Sequence, residues 1–329
     1  MPWYDLPLDQ LREYRTSTVE PAGLDDWWRG KVQQARDVAQ APRPVRYRED
    51  LYQSIEVHDT QFSGAGGDLI RAWYLRPANA TGRTPHLVKF IGYGGGRSLP
   101  NDHLMLPALG YGLLVMDTRG QGGRWSPGAT GDSPAGGGVA GPENSTVMTR
   151  GIASPETYYY TRLFTDAVLA VDAVRALAGP DAPLGVTGVS QGGGLAIATA
   201  ALHGDAIRVC HADVPFLCDF QRAITLAPKP PYTEIPEFLD RNVDLIDAAL
   251  DTLRYVDCAL LARRVTASTL VSVGLMDITC PPSTVFAAYN EIPATDKEIA
   301  VFPYSGHDSY PSHVERQLAH LREHLPAAG

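Results

Sequence analysis

The sequence predicts an α/β fold in which a mostly parallel central sheet is flanked by helices. Short apolar runs of strand length recur along the chain, helical patterns separate them in the second half, and glycine-rich turns follow several runs. The runs at residues 86–91 and 113–117 are typical of strands buried on both faces, as a parallel sheet requires. The 329 residues suffice for one large domain, and we expect a single domain over 1–329.

The first half of the chain supplies an arm, a strand pair and a long loop. Residues 1–45 are predicted to form an N-terminal arm whose aromatic residues anchor it: Trp3, Tyr4, Trp27 and Trp28. Residues 52–76 alternate apolar and polar around a glycine turn, which predicts two paired strands. The segment 123–153 is rich in Gly, Pro, Ser and Asn and is predicted to be a long loop that is functional or covers another part of the molecule.

The second half alternates between helical and strand patterns. A helix is predicted to begin with Ser154 as its N-cap and Pro155 at its first position, and to end at Gly179-Pro180. The later elements are strands at 183–189, 207–214, 270–275 and 299–302 and helices at 195–202 and 312–325. The proline-containing segment 216–262 interrupts this alternation and is predicted to be a cap insertion over the strand ends, where ligands bind.

Composition restricts the partners and the location. The formal charge is -9 and the pI is near 5.4, which argues against nucleic acid and anionic membranes as partners. No apolar run approaches the roughly 18 residues of a membrane span, and the first residues lack a signal-peptide pattern. Four cysteines fall without metal-ligand spacing. These observations predict a cytoplasmic protein with reduced, buried thiols.

The most informative segment is Gly-Val-Ser-Gln-Gly at residues 188–192. It lies between an apolar run predicted to be a strand and an alanine-rich run predicted to be a helix. This strand, Gly-x-Ser-x-Gly turn and helix form the nucleophile elbow of the α/β-hydrolase fold, in which a sharp turn exposes the serine. Ser190 is therefore the candidate nucleophile.

A serine hydroxyl needs a base that is held by an acid, and in this fold the chain order is Ser, Asp or Glu, then His. His307 follows the last predicted strand and is the candidate base. His203 and His211 are predicted to be structural, and the terminal helix is predicted to expose its histidines, His313, His320 and His324. Asp277 follows the strand 270–275 and is the candidate acid, with Asp213 and Asp257 as rivals.

The oxyanion of an acyl-transfer intermediate needs two backbone N–H donors. The residue after the nucleophile, Gln191, is predicted to supply one donor. The glycine-rich segment 92–96 follows a buried strand and is predicted to supply the other, at Tyr93. No Walker Lys-Ser/Thr follows these glycines, so a phosphate-binding interpretation is weak.

The motifs resemble those of the acetyl xylan esterase / cephalosporin C deacetylase family, carbohydrate esterase family seven. Its blocks appear as Arg-Gly-Gln-Gly at 119–122 and Gly-Val-Ser-Gln-Gly at 188–192, while the third, His-Glu, reads His307-Asp308. The resemblance covers nearly the whole chain. It implies the triad Ser190, Asp277 and His307, oxyanion donors at Tyr93 and Gln191, and small acetylated substrates. It also implies a structural role for Arg119 near the catalytic histidine and assembly as a hexamer.

The mechanism needs no metal or organic cofactor, and we expect none. Three other functions remain open: a peptidase of the prolyl-oligopeptidase type, a natural-product deacetylase or acyltransferase, and a non-enzymatic protein of the same fold. The first usually carries a large propeller domain, and the last typically lacks a member of the triad.

Overall fold

The computed structural model describes residues 3–132, 147–308 and 310–327. Part of the loop predicted at 123–153 therefore lies outside the described residues. One nine-stranded sheet organises the chain, in the order β1-β2-β3-β5-β4-β6-β7-β8-β9. The strands are β1 Arg43–Arg46, β2 Ile55–Ser63, β3 Leu69–Pro77, β4 His86–Phe90, β5 Gly112–Met116, β6 Leu184–Val189, β7 Val209–Asp213, β8 Ser268–Gly274 and β9 Lys297–Phe302.

The first three strands pair antiparallel, and β3 also pairs antiparallel with β5. From β5 onward in the sheet order, the strands pair parallel throughout. The α helices are α1 Leu8–Glu13, α2 Leu24–Val38, α3 Met105–Ala108, α4 Tyr159–Ala178, α5 Gln191–His203, α6 Phe220–Leu226, α7 Glu234–Leu239, α8 Ile246–Leu253, α9 Cys258–Leu261, α10 Pro282–Glu291 and α11 Ser312–His324. The predicted α/β fold with a mostly parallel sheet is confirmed.

Both faces of the sheet are buried. Successive residues of a strand point to opposite faces, so Val88 and Leu114 join the core that includes α4 and α5. Their neighbours Leu87 and Leu113 join a second core with Leu321 of α11. This explains why the central strands appear in the sequence as continuous apolar runs rather than alternating ones.

The helix predicted to begin after Ser154 begins later, at Tyr159. Ser154 instead organises a turn, in which its carbonyl accepts the N–H groups of Thr157 and Tyr158 at 3.1 Å each. The capping prediction was wrong because Ser154 and Pro155 are equally compatible with a tight turn. The predicted end is correct, since Gly179 follows the last helical residue.

The terminal helix does not simply expose its histidines, as the sequence suggested. His313 is 2% exposed, and its Nε2 lies 2.7 Å from Asp213 Oδ1. His320 Nδ1 lies 3.1 Å from Nε2 of the buried His211, and His324 Nδ1 lies 3.1 Å from Asp296 Oδ2. One face of α11 packs against β7 and β8. The sequence did not indicate this face because charged residues lie next to these histidines.

The N-terminal segment is attached to its own chain by aromatic residues. Trp28 is 1% exposed, stacks on Phe164 and donates its indole N–H to the carbonyl of Tyr255 at 2.8 Å. Trp27 donates its indole N–H to Glu156 at 2.9 Å. The last residues of the predicted arm, from Arg43, already belong to the edge strand β1.

Arg119 of the Arg-Gly-Gln-Gly segment lies in a buried cluster of charges. Its guanidinium binds Asp166 of α4 through two hydrogen bonds, at 2.5 and 2.7 Å, and also binds Asp68 and Asp132. Arg162 and Arg150 contact Asp132 from the other side. Arg119 thus braces the loop after β5 against α4. Its contacts are structural, as the resemblance implied.

Replacing Arg119 with methionine is expected to lower the free energy of unfolding by about 3–5 kcal/mol, because the carboxylates of Asp166 and Asp132 would lose a buried positive partner. Urea unfolding followed by circular dichroism measures the change. Arg29→Met is the control, since the Arg29 side chain is 73% exposed and pairs with the exposed Asp26; we expect a change within about 0.5 kcal/mol. Equal effects of the two substitutions would contradict the bracing role.

The four cysteines are free and buried. None of the helices in the described ranges has the length and apolar character needed to cross a membrane.

Candidate active site

Ser190 stands at a sharp turn between β6 and α5. Its backbone has φ 59 and ψ -119, a positive-φ conformation that residues with side chains rarely adopt. A Cβ at Gly188 would lie 2.3 Å from a backbone atom of Gly192, and a Cβ at Gly192 would lie 2.3 Å from the carbonyl oxygen of Phe90. The flanking glycines are therefore required by the close approach of strand and helix, as the predicted elbow demands.

His307 and Asp277 are hydrogen-bonded to each other. His307 Nδ1 lies 2.7 Å from Asp277 Oδ2, and the histidine side chain is 26% exposed while the aspartate is buried. The other carboxylate oxygen of Asp277 accepts the N–H groups of Thr279 and Cys280 at 2.7 and 3.0 Å. These donors fix the orientation of the carboxylate and hence that of the imidazole.

Two further contacts hold the loop that carries Asp277. The N–H of Met276 donates to the carbonyl of Ser305 at 3.0 Å, which joins the loop after β8 to the loop after β9. The hydroxyl of Tyr4 donates to the carbonyl of Asp277 at 2.6 Å, and Asp5 accepts the N–H of Ser283 at 2.7 Å. The N-terminal segment therefore supports the candidate acid, a contact across 273 positions that sequence patterns did not indicate.

The rival acids are engaged elsewhere. Asp213 uses one carboxylate oxygen for His313 and the other for Gln317, at 2.7 and 2.8 Å. Asp257 caps α9 and accepts N–H groups from Asp219, Phe220 and Ala259. Burial raises the pKa of Asp257 to about 7. Both rivals therefore have structural partners, and Asp277 alone of the three bonds to His307.

The two predicted oxyanion donors lie in segments that meet at the serine. In the part of the chain that the structure describes, the backbone N–H groups of Tyr93 and Gln191 have no protein acceptor. Gly92, between β4 and Tyr93, lies next to the elbow, since a Cβ on it would lie 3.9 Å from Ser190 Cβ. Donors that are unsatisfied in the resting state are available for an oxyanion.

Gln121 of the Arg-Gly-Gln-Gly segment connects both donor segments, a role that sequence reasoning missed. Its Oε1 accepts the N–H of Gly94 at 2.6 Å, and its Nε2 donates to Gln191 Oε1 at 3.0 Å. The side chain of Gln191 in turn donates to the carbonyl of Ile91 at 3.2 Å. The sequence signal that could have indicated this role is the place of Gln121 in the Arg-Gly-Gln-Gly motif at 119–122.

Tyr93 is also held by its side chain. Its hydroxyl lies 2.9 Å from both carboxylate oxygens of Glu234 at the start of α7 and accepts the N–H of Val147 at 3.2 Å. Burial raises the pKa of Glu234 and raises that of Tyr93 well above its ordinary value. Glu234 lies within the segment 216–262, so the predicted cap contributes to fixing the donor loop.

Ser190 and His307 line one cavity of about 350 Å³, here called the reaction cavity. Its walls include Tyr93, Pro230 and Pro231, and the two prolines come from the segment 216–262. The cavity lies at the carboxyl ends of the parallel strands, where open α/β sheets bind ligands. Its volume is within the range of small-molecule sites.

One group of three metal-capable side chains occurs in the described ranges. The ligand atoms of Asp277, Cys280 and His307 lie within 4.8 Å of one another. Cys280 is completely buried, and burial raises the pKa of its thiol well above the ordinary value. A metal binds the thiolate rather than the protonated thiol, and His307 and Asp277 are already hydrogen-bonded to each other. The group therefore fits proton transfer better than metal ligation.

These features define a class of protein. A serine at a strand-to-helix elbow, with a His–Asp pair on the loops after two later parallel strands, is the arrangement of an α/β-hydrolase.

Comparison with known proteins identifies the family. A family model described as acetyl xylan esterase (AXE1) matches residues 1–325. The structure of an acetyl xylan esterase from Paenibacillus sp. R4 is 34% identical, with a TM-score of 0.86, and the match covers 97% of this chain and 100% of that one. Acetyl xylan esterase 1 from Thermoanaerobacterium sp. JW/SL YS485 is 32% identical with the same TM-score, and the match covers 98% and 100%.

The curated acetyl esterase Axe7A of Xylanibacter ruminicola is 29% identical over 161 residues, which are 49% of this chain and 35% of that protein. Most of the length of that relative is therefore unmatched. The chain belongs to the acetyl xylan esterase family and is a carboxylic ester hydrolase with the α/β-hydrolase fold. The resemblance drawn from the three sequence blocks is confirmed.

Proposed function

We propose that the protein removes acetyl groups from small acetylated alcohols by transferring the acetyl group to Ser190. One observation carries the proposal: Ser190 and His307 face the same cavity while His307 is bonded to a buried, backbone-held Asp277. The family membership supports acetyl esters as the substrate class.

The proposed reaction has two steps. His307 takes the proton of the Ser190 hydroxyl as the oxygen attacks the acetyl carbonyl, and Asp277 stabilises the charged imidazole. The N–H groups of Tyr93 and Gln191 bind the oxyanion. The C–O bond to the alcohol then breaks, and the alcohol leaves with the proton from His307. Water repeats the sequence on the acetyl-serine and releases acetate, so no metal or organic cofactor takes part.

Acetylated xylo-oligosaccharides, cephalosporin C and simple acetate esters are the proposed substrates. A natural-product deacetylase or acyltransferase would use the same residues with a different alcohol. A peptidase would cleave amides instead. Comparing turnover of p-nitrophenyl acetate with that of a dipeptide anilide separates these classes: we expect turnover of the ester and little of the anilide, and a preference for the anilide would overturn the esterase proposal.

Activity is expected to be highest on acetate and to fall by the time the acyl chain reaches about six carbons. Pro230, Pro231 and the anchored Tyr93 line the reaction cavity, and a wall of fixed residues discriminates each methylene by roughly 1–3 kcal/mol. Initial rates with p-nitrophenyl esters of two to eight carbons provide the measurement. Octanoate turned over as well as acetate would contradict the proposal of a small acyl pocket.

We also propose that the protein is cytoplasmic and assembles as a hexamer, as the family resemblance implies. Trp3 is 57% exposed, which leaves an aromatic ring available for an interface, whereas Trp28 is already buried within its own chain. Light scattering at micromolar concentration is expected to return about six times the chain mass of 35.5 kDa. A monomer mass would refute the assembly.

A further inference from the structure

One arginine lines the reaction cavity without a charged partner. Among the described residues that line the cavity, Arg124 carries the one permanent charge, and there is no Asp or Glu. In the part of the chain that the structure describes, no hydrogen bond or ion pair joins the Arg124 guanidinium to another residue. Its five N–H donors are therefore open to a ligand, and they have no role in the proposed acyl transfer.

The Arg124 side chain is nevertheless held in place. Its backbone N–H donates to the carbonyl of Gly94 at 3.2 Å, and a Cβ on Gly94 would lie 2.6 Å from Arg124 Cδ. The aliphatic part of the side chain thus lies along the glycine-rich segment 92–96. The guanidinium carbon is 5.7 Å from the centre of the Tyr93 ring, which is within the range of a cation–π contact. A side chain that is already ordered loses less conformational entropy when a ligand binds.

The nearby carboxylates do not neutralise Arg124 by direct contact. Burial raises the pKa of the Glu234 carboxyl, and the charge of Arg124 opposes this effect. Both oxygens of Glu234, however, lie 2.9 Å from the Tyr93 hydroxyl, and Glu234 does not line the cavity. Asp277 is bonded to His307 and to two backbone N–H groups. The guanidinium therefore keeps its charge available to a group inside the cavity.

The cap segment 216–262 adds a second positive charge near the cavity. Lys229 directly precedes Pro230 and Pro231, which line the cavity, and its side chain is exposed. Burial raises the pKa of the Cys280 thiol, and the charge of Lys229 opposes this effect, so the ammonium lies close enough to the active site to act on it. Within the described ranges Lys229 forms no ion pair. Arg124 and Lys229 thus give the cavity a positive local field, although the formal charge of the chain is -9.

We propose that Arg124 binds a carboxylate on the alcohol portion of the substrate, so that the enzyme prefers acetyl esters of hydroxy acids over neutral acetyl esters. The inference rests on the proposed function. A guanidinium binds a carboxylate through two parallel hydrogen bonds. The acetyl group has no ionisable atom, so the carboxylate belongs to the alcohol portion. Because Arg124 lies over the ring of Tyr93, whose N–H is a proposed oxyanion donor, one small molecule carries both the carboxylate and the ester.

The charges around the cavity favour an anionic ligand over a neutral or a cationic one. A neutral alcohol would exclude water from part of the guanidinium without supplying a counter-charge, which costs free energy. A cationic alcohol would be repelled by Arg124 and Lys229. A carboxylate supplies the counter-charge and accepts hydrogen bonds, and no acidic side chain in the described lining opposes its entry.

The test compares kcat/KM for m-acetoxybenzoate and p-acetoxybenzoate with kcat/KM for the corresponding acetoxybenzamides, by measuring acetate release. A carboxylate and a carboxamide have nearly the same shape, so a change in the ratio between wild type and variant reports the charge. We expect Arg124→Met to lower this ratio by about threefold to tenfold, mainly through KM. Arg124→Lys keeps the charge but loses the two parallel hydrogen bonds, and it should lower the ratio less.

Arg83→Met is the matched control, because it removes the same charge from an exposed residue before β4, at the end of the parallel strands opposite the reaction cavity; its ratio should equal that of the wild type. Added sodium chloride should lower the ratio of the wild type more than that of Arg124→Met. An unchanged ratio in Arg124→Met would overturn the inference while leaving acetyl ester hydrolysis intact. This includes the case in which both activities fall together because Arg124 acts on the oxyanion. Absence of any acetyl ester turnover in the wild type would instead refute the proposed function.

Discussion

Replacing Ser190 with alanine is expected to lower turnover of acetyl esters by at least about 10³-fold and to leave the folded state intact. In the proposed mechanism this hydroxyl forms the covalent acetyl intermediate, and no other residue of the elbow segment 188–192 has a hydroxyl. The side chain is half-buried at the edge of the reaction cavity, so its loss removes little packing. Steady-state kinetics with p-nitrophenyl acetate and a circular dichroism melt measure the two quantities.

Residual activity of more than a few per cent, in a preparation free of wild-type protein, would contradict the nucleophile assignment. A large fall in melting temperature would show that Ser190 has a structural role instead. The proposed oxyanion donors, the backbone N–H groups of Tyr93 and Gln191, are retained in this variant, so a small residual rate above the uncatalysed reaction is expected.

Asp277→Asn and His307→Ala are each expected to bring turnover down toward the level of Ser190→Ala. In the proposed mechanism the three residues act as a unit, so combining either substitution with Ser190→Ala should add little further loss. The amide that Asp277→Asn introduces cannot stabilise a charged imidazole as a carboxylate does, although it can still occupy the position beside the Thr279 and Cys280 N–H groups. Single-turnover and steady-state rates of the single and double variants provide the measurement.

Asp213→Asn is the matched control, because Asp213 also lies at the end of a parallel strand and also bonds to a buried histidine, His313. We expect a far smaller loss of turnover per folded molecule from this substitution. A larger loss at Asp213 than at Asp277 would transfer the acid role to Asp213.

The sequence predicted the sheet and the position of the serine because both are encoded locally. Buried parallel strands leave continuous apolar runs, and the elbow requires glycines at 188 and 192, where any Cβ would collide with backbone. The His307–Asp277 hydrogen bond could be anticipated because the fold places later strand ends side by side. Local sequence patterns, together with the chain order Ser, Asp, His that this fold uses, were enough to predict these features.

The supporting contacts could not be predicted, because they join residues that are distant in sequence. Tyr4 reaches the carbonyl of Asp277, Glu234 reaches the hydroxyl of Tyr93, and Gln121 reaches both Gly94 and Gln191. Each is a single polar side chain without a periodic pattern around it. The burial of His313 was missed for the related reason that charged neighbours on α11 suggested an exposed face.

Two contacts from different segments hold the loop that carries Tyr93. Glu234 holds the hydroxyl of Tyr93, and Trp125 holds its carbonyl at 2.9 Å. In the proposed mechanism the Tyr93 N–H is thereby oriented before substrate binds, and a preorganised donor needs no rearrangement when charge develops on the oxyanion. The segment 216–262 thus contributes to the proposed chemistry as well as to the cavity wall.

The role of Ser190 as the nucleophile can be tested by mass spectrometry of the protein after reaction with a serine-directed phosphonate. We expect one adduct per chain, located on the peptide that contains Ser190, with esterase activity lost in proportion to labelling. His307→Ala should react far more slowly, because the hydroxyl would lack its base. Full inactivation with the adduct on another residue, or full activity after complete labelling of Ser190, would contradict the serine mechanism.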